Sequence, residues 1–419
     1  MSIKEPLVNL CKKNKTFRKI LRKIMNLVDG LKYKLISNCI TTDQKTIIFG
    51  SFNGQSYCDS PKAIYEYMLN NSKYDEYKYI WIFKDVKRHK YLEKNRNTQI
   101  VSATGIKYYK ALGRAKYWFF NYKIRDYIYP KKNQVFVQCW HGTPLKRLGC
   151  DLINFDNAMN SLEEIKHRYE IETSKFSYFI SPSKFATEKF ISIWDMKKNN
   201  KENIIIEQGY PRNDFLYNYK EDDVKRVKQT LKITDTNKKI ILYAPTYRDN
   251  QHSARLGYTY KTEVNFDKLK EELQDEYIIL FRAHWLVANA FDFEKYKSFI
   301  YNVSDYDDIN ELYIISDLLI TDYSSVFFDY ANLKRPILFY MYDLEEYRDN
   351  IRGFYLNIEE LPGPILKTEE ELIQNIKETT KEFYDEKYKK FNKKFNYLDD
   401  GQASKRVVDK IFVFNDKIN

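Results

Sequence analysis

The chain has 419 residues, 43% hydrophobic and 31% charged, with 12 Gly and 10 Pro, which suits two or three domains of about 150 residues and excludes a disordered chain or a small disulfide scaffold. Seventy Lys and Arg against 58 Asp and Glu leave a charge of +12, which fits an anionic partner such as lipid, nucleic acid or a phosphorylated substrate. The 37 Tyr and 27 Phe carry no functional weight beside so many Lys, Asn and Ile, and five cysteines (Cys11, Cys39, Cys58, Cys139, Cys150) without CxxC spacing indicate neither disulfides nor zinc.

Residues 12–34 carry nine Lys or Arg against one acid, Asp29, while Phe17, Ile20, Leu21, Ile24, Leu27, Val28 and Leu31 recur at three- and four-residue steps. That spacing predicts a basic amphipathic helix. Its stripe fits either the acyl boundary of an anionic membrane or the chain's own first domain. No secretory signal and no apolar run of about 18 residues stands out, so the chain reads as soluble or attached to a surface.

Short β-rich runs then alternate with helical stretches: Thr46–Gly50, a helix over Pro61–Leu69, Tyr77–Phe83, Gln99–Val101, a helix from Gly105, Tyr117–Phe120, Gln134–Gln138, Tyr178–Ile180 and Ile204–Ile206. Such alternation predicts a mostly parallel sheet. Asp214–Asn237 is polar and helical, and the domain junction is expected there. A second set follows: Lys239–Tyr243, Tyr277–Phe281, Phe299–Tyr301, Leu318–Ile320 and Ile337–Phe339, then a long charged helical region over Thr368–Asp399 and a last helix over Ser404–Phe414. The expected organisation is a basic membrane-associating segment (1–40), a Rossmann-like domain (41–225) and a second Rossmann-like domain with C-terminal helices (226–419). Strand ends of two such halves face each other across a cleft, so the chemistry belongs in loops after strands.

Four segments fit that position. Directly after a strand, Cys139–Lys146 offers His141 as a base of ordinary pKa about 6.5, Gly142 for close backbone approach, and Thr143, Lys146 and Arg147 as donors to anionic oxygen. Phe281–His284 sets Arg282 and His284 on one face of a strand end, which suits a pyrophosphate. Ala244–Arg248 supplies Thr246 and Arg248 for a base or phosphate. Ser316–Asp329 reads as strand, turn and helix start, with Ser324 and Ser325 at a helix N-terminus that favours phosphate and Asp329 one turn on for a ribose hydroxyl. Asp305, Asp307 and Asp308 read as a loop and N-cap before Ile309–Ser316 rather than a metal site.

Together, Trp140–Lys146, Ser181-Pro-Ser183, Gly209–Asp214, Ala244-Pro-Thr246 with Arg248, Arg282-Ala-His284, and Thr321–Ser325 with Asp329 closely resemble the CDP-glycerol glycerophosphotransferase family in order and spacing, over roughly residues 46–354 including Asn53-Gly54 and Asp59–Lys62. The resemblance implies an α/β GT-B fold with the acceptor bound mainly by the first half and a CDP-polyol by the second. It places the family's donor-binding positions on His141, Gly142, Thr143, Pro144, Leu145, Arg212, Pro245, Thr246, Arg282, Ala283, His284, Ser324, Ser325 and Asp329. It also implies peripheral attachment to the cytoplasmic membrane face, with the N-terminal helix as anchor.

The implied reaction is attack by a hydroxyl of an undecaprenyl-linked saccharide or polyol-phosphate acceptor on the β-phosphorus of CDP-glycerol or CDP-ribitol, with CMP leaving, in teichoic acid or capsule synthesis. His141 is the expected base and His284 the alternative. Arg282 and His284 steady the pyrophosphate, Arg212 adds a cation and Asp329 a ribose contact. Such chemistry needs positioning and charge compensation, and neither metal nor cofactor is expected, since the segments are rich in cationic donors and no compact His and carboxylate cluster stands beside them. The rival enzyme is a GT-B glycosyltransferase using a nucleotide sugar. A nucleic-acid-binding protein is disfavoured, because no RNP-like, KH-like or zinc-finger pattern is present.

Overall fold

The structure, a computed structural model, describes residues 14–153, 161–234, 237–246, 252–253, 257–258, 264–283, 291–346, 353–379 and 383–415. It opens on the helix Lys15–Asn38, started by the Asn14 side chain accepting from Phe17 N. One face docks on the chain: Tyr33 is buried and donates through Oη to Tyr129 O (2.5 Å), and Ser37 lies so close to Gly113 that a β-carbon there would meet the Ser37 Cα at 2.9 Å. The predicted apolar stripe lies elsewhere on the helix. Ile20, Ile24, Leu27, Leu31 and Leu35 are each more than half exposed, so the stripe is not spent on the first domain. Residues 1–13 of the expected segment lie outside the described residues.

Seven parallel strands follow: β1 (Asp43–Gly50), β2 (Lys78–Phe83), β3 (Thr98–Ser102), β4 (Ala115–Phe120), β5 (Val135–Gln138), β6 (Tyr178–Ser181) and β7 (Ile205–Glu207), in the order β3-β2-β1-β4-β5-β6-β7. Alternate residues supply cores on opposite faces. Phe49, Trp81 and Phe119 stack on one face, with Phe49 about equally close to both partners (5.4 Å), while Ile48, Trp118 and Phe120 fill the other. Burial on both sides is why these strands read as continuous apolar runs. The aromatic excess is used here: Trp81, Trp118, Trp194, Tyr65, Tyr74 and Tyr79 are among the largest fully buried side chains, each contributing several times the apolar area of an aliphatic methyl pair.

The second sheet contains β8 (Lys239–Ala244), preceding a short antiparallel pair β9 (His252–Ser253) and β10 (Gly257–Tyr258), then β11 (Tyr277–Phe281), β12 (Ile300–Asn302), β13 (Leu318–Thr321), β14 (Ile337–Tyr340) and β15 (Ile365–Leu366). Its order is β12-β11-β8-β13-β14-β15, again all parallel. Two Rossmann-like halves thus face each other in the GT-B arrangement.

The C-terminal region is helical as expected, but its last helix departs from the expected domain bounds. The charged helical stretch after Thr368 consists of two helices, Glu369–Glu378 and Glu386–Phe395. The last helix, Ala403–Asn415, does not pack with the second sheet, where bounds of 226–419 would put it. Val407, Val408, Ile411 and Phe412 are buried in the core of the first sheet, with Phe412 4.4 Å from the Tyr117 ring. Its start is capped by Asp214, which accepts from Ala403 N (2.8 Å) and Ser404 N (2.7 Å). The chain therefore crosses between the halves twice, and both crossings meet at Gly209–Asp214.

Candidate active site

After β5 the backbone turns sharply: Trp140 takes φ +47 and its N–H donates to the Gln138 side chain (3.0 Å). That turn delivers His141 to the cleft between the halves. Its ring lies against Trp140 (centroids 4.0 Å apart) and Phe52 (5.6 Å). Nδ1 is 2.7 Å from the carbonyl oxygen of Asn121. A carbonyl only accepts, so the proton sits on Nδ1 and the Nε2 lone pair is left for a substrate. The ring opens to the cleft, yet it lies deep enough between the halves for desolvation to lower its pKa below 6.5; Arg212 pushes in the same direction, against the Asn121 bond and Asp59. The imidazole is therefore neutral near pH 7, as a base must be.

The following segment is clipped to the second half. Leu145 O accepts from Tyr355 N (2.9 Å), Arg147 N donates to Gly353 O (2.9 Å), and Lys146 bridges Phe354. Gly142 faces Ser325 so closely that a β-carbon would lie 2.7 Å from the Ser325 hydroxyl, which is the close approach that a glycine permits. A cavity of ≈ 280 Å³ opens there, and its walls come from both halves: His141, Gly142, Thr143, Pro144, Leu145 and Lys146 on one side, Pro245, Thr246, Ser324 and Ser325 on the other. Asp322 aligns the second wall by accepting from both Thr246 N (2.7 Å) and Tyr323 N (2.6 Å), while Thr321 Oγ1 ties that loop to Ala244 O (2.8 Å). The Thr246 hydroxyl is buried and has no hydrogen-bond partner among the described residues. Hydroxyls and an ammonium facing a neutral imidazole can hold an anionic substrate while a nearby hydroxyl gives up its proton.

Among the described residues, Arg212, Arg282, Ala283 and Asp329 do not line this cavity. Arg212, 5% exposed, is held between two carboxylates: NH2 donates to Asp329 (3.0 Å), NH1 approaches Asp59 (3.4 Å), and the guanidinium lies 4.1 Å over the Tyr210 ring. Asp329, 7% exposed, also accepts from Asn213 (3.1 Å), whose amide reaches Asp399 (2.7 Å) as well. The free cation and the ribose acceptor expected from the sequence are thus spent on each other, in a clasp where Asp59 from the first half and Asp329 from the second share one arginine. Arg282 donates through NH1 to Val303 O (3.0 Å) and Tyr306 O (2.8 Å), holding the loop after β12, and Ala283 N donates to Ser304 (3.2 Å). Arg248 and His284 lie outside the described residues.

Asp305, Asp307 and Asp308 serve structure. The Asp308 side chain accepts from Asn310 N (3.1 Å) as N-cap of Ile309–Ile315 and pairs with Lys62 (2.8 Å), while Asp307 meets Arg88 (2.6 Å) and His89 (3.0 Å) across the cleft. A larger cavity of ≈ 570 Å³ lies beside this latch, but the cations on its wall are mostly neutralised by these pairs. Sequence reasoning missed Asn121, Asp322 and Asp59 as positioning groups. Asp322 and Asp59 stood inside segments already singled out, whereas Asn121 acts through its carbonyl and leaves no mark in the sequence.

The sequence profile of the CDP-glycerol:poly(glycerophosphate) glycerophosphotransferase family matches residues 32–413. The chain is 41% identical over 397 residues to a teichoic acid poly(glycerol phosphate) polymerase of Bacillus spizizenii, covering 94% of this chain and 98% of that protein. It is 40% identical over 410 residues to the polymerase of the same description in Bacillus subtilis, where 96% of this chain spans only 54% of the relative. Among solved structures, the wall teichoic acid polymerase TagF, as a histidine-to-asparagine variant soaked with CDPG, superposes with a TM-score of 0.84 at 38% identity, over 97% of this chain and 99% of that one.

Proposed function

Since the chain belongs to the CDP-glycerol:poly(glycerophosphate) glycerophosphotransferase family, we propose that it moves glycerol phosphate from CDP-glycerol to the terminal hydroxyl of a lipid-linked polyol-phosphate acceptor. The observation that carries this reading is the free Nε2 of His141 opening on a cavity whose far wall is Thr246, Ser324 and Ser325. His141 takes the proton of the acceptor hydroxyl. The oxygen then bonds to the β-phosphorus as the bridging P–O bond breaks, and CMP leaves with that electron pair. Thr143, Lys146, Thr246, Ser324 and Ser325 compensate the phosphate charge, which is where such transfers need help. Pro144, Leu145 and Pro245 shape the cavity around them.

The test is CMP release from CDP-glycerol and CDP-ribitol, each offered an undecaprenyl-linked saccharide and one already bearing glycerol phosphate. CDP-glycerol with the primed acceptor should release CMP fastest and give a ladder of products by mass. No CMP from any of the four pairings, with the protein folded, overturns the reading.

The helix Lys15–Asn38 brings this chemistry to a lipid-linked substrate. No helix among the described residues is long and apolar enough to cross a membrane, but the exposed stripe of Ile20, Ile24, Leu27, Leu31 and Leu35 beside Lys and Arg suits peripheral binding to an anionic surface at the cytoplasmic face. Leu27→Glu with Leu31→Glu should weaken binding to phosphatidylglycerol vesicles by at least about tenfold and leave CMP release to a soluble acceptor unchanged. Sedimentation with vesicles reads the first effect, and unaltered binding would remove the helix from this role.

A further inference from the structure

The helix Ile106–Arg114 packs on the first sheet and on the helix Lys15–Asn38, with Tyr109 against Tyr33 (ring centroids 5.6 Å apart) and Gly113 against Ser37. Its free face carries Lys107, Lys110 and Arg114. All three are exposed and line one wall of a cavity of ≈ 330 Å³, whose opposite wall is Gln99, Ile100 and Val101 of β3. Among the described residues none of the three makes an ion pair. A second cavity of ≈ 240 Å³ adjoins the first, sharing Gln99 and Arg114 and adding Asn95 and Asn97.

β3 is the outermost strand of its sheet, and Ile80 of the neighbouring β2 also lines the groove, which therefore runs between the helix and the sheet edge. The groove has cations on one side, while on the other the Asn95 and Asn97 amides already donate to Tyr65 (2.9 Å) and Asp75 O (2.9 Å). Its one carboxylate, Glu93, already accepts from Ile100 N (3.2 Å). Three like charges at three- and four-residue steps on one helix face repel one another, and an anion in the groove would offset that cost.

The spacing narrows the ligand. Along the helix axis the three cations together span about 10.5 Å, farther than one phosphate or a pyrophosphate reaches and in the range of successive charges on an extended polyol phosphodiester chain. We propose that this groove binds the already polymerised part of a poly(glycerol phosphate) chain by its backbone phosphates while the growing end occupies the cleft at His141. This rests on the reading of the chain as a glycerol phosphate transferase. The groove adjoins the helix assigned above to the membrane surface, so a chain anchored in lipid passes within its reach.

The test uses the full chain, wild type and Lys107→Ala/Lys110→Ala, titrated with end-labelled oligo(glycerol phosphate) of short and long lengths and, in parallel, with phosphatidylglycerol vesicles. The double variant should bind the long oligomer at least about tenfold more weakly. Its slope of log K against log salt should flatten by about 1.4, since each phosphate contact on a single-stranded polyanion contributes roughly 0.7. CMP release with a short acceptor should stay unchanged while the products become shorter. Arg114→Gln should act in the same direction, which keeps the test decisive if the double variant folds poorly. Undiminished long-oligomer binding overturns the proposal, and so does a loss confined to vesicles, which would make the groove a lipid headgroup contact. If the wild type releases no CMP yet binds long oligomers through Lys107 and Lys110, the groove stands and the assigned reaction falls.

Discussion

His141→Ala is expected to lower CMP release by about 10²–10⁴-fold, the usual contribution of a positioned general base, with folding unchanged. The fold should survive because the ring opens to the cleft and, among the described residues, its hydrogen bond is to the Asn121 carbonyl, which the cleft can rehydrate. The pH profile separates this role from a merely steric one. Desolvation holds the imidazolium pKa below 6.5, so the base is in its working, neutral form above that value and is lost as pH falls through it. Wild-type kcat/KM should therefore show an acid limb below pH 6.5 that His141→Ala lacks. His141→Gln keeps a donor and much of the shape but no proton acceptor of comparable basicity, and should be nearly as slow as alanine. A glutamine variant with more than a tenth of wild-type activity would move the proton transfer to another group, and His284 is the first to test.

Much of the fold could be read from the chain because both sheets are covered on both faces. Residues 46–49 and 79–83 are buried whichever way they point, so each strand appears as an unbroken apolar run, and the residues just beyond its end are marked as cleft loops. That logic placed His141, Thr246 and Ser325 on one cavity. It gave no sign that Arg212 and Asp329 pair with each other across 117 residues, with Asp59 another 153 residues from Arg212. A charged residue near a strand end looks the same in sequence whether it faces a ligand or a carboxylate from the other half. The N-terminal helix shows a similar limit: its stripe was legible, but the docking face is set by Tyr33 and Ser37, one large and one small residue fitting Tyr129 and Gly113. For the last helix, Val407, Val408, Ile411 and Phe412 announced an apolar face without saying which sheet it would cover.

Arg212→Met should cost about 3–5 kcal/mol of stability, the penalty for removing one partner of a buried ion pair. The substitution keeps most of the stem but leaves Asp59 and Asp329 facing each other without their cation, both under 10% exposed. Arg212→Met with Asp329→Asn should recover part of the loss, because the second change removes the stranded charge and leaves an oxygen to accept from Asn213. The pH dependence carries the sign of the defect. Burial already raises the Asp329 pKa above 3.8, and Arg212 is the largest influence lowering it. Without the arginine the folded-state value rises further, so the folded variant holds a proton that the unfolded chain has released, and stability falls as pH rises through that interval. The gap between wild type and Arg212→Met in urea unfolding should therefore be smaller at pH 5 than at pH 8. If Arg212 instead served the pyrophosphate directly, its replacement would depress CMP release while leaving the unfolding free energy within about 0.5 kcal/mol of wild type. The clasp predicts the reverse order, with stability lost first and activity following it as the two halves lose their fixed separation across Gly142 and Ser325.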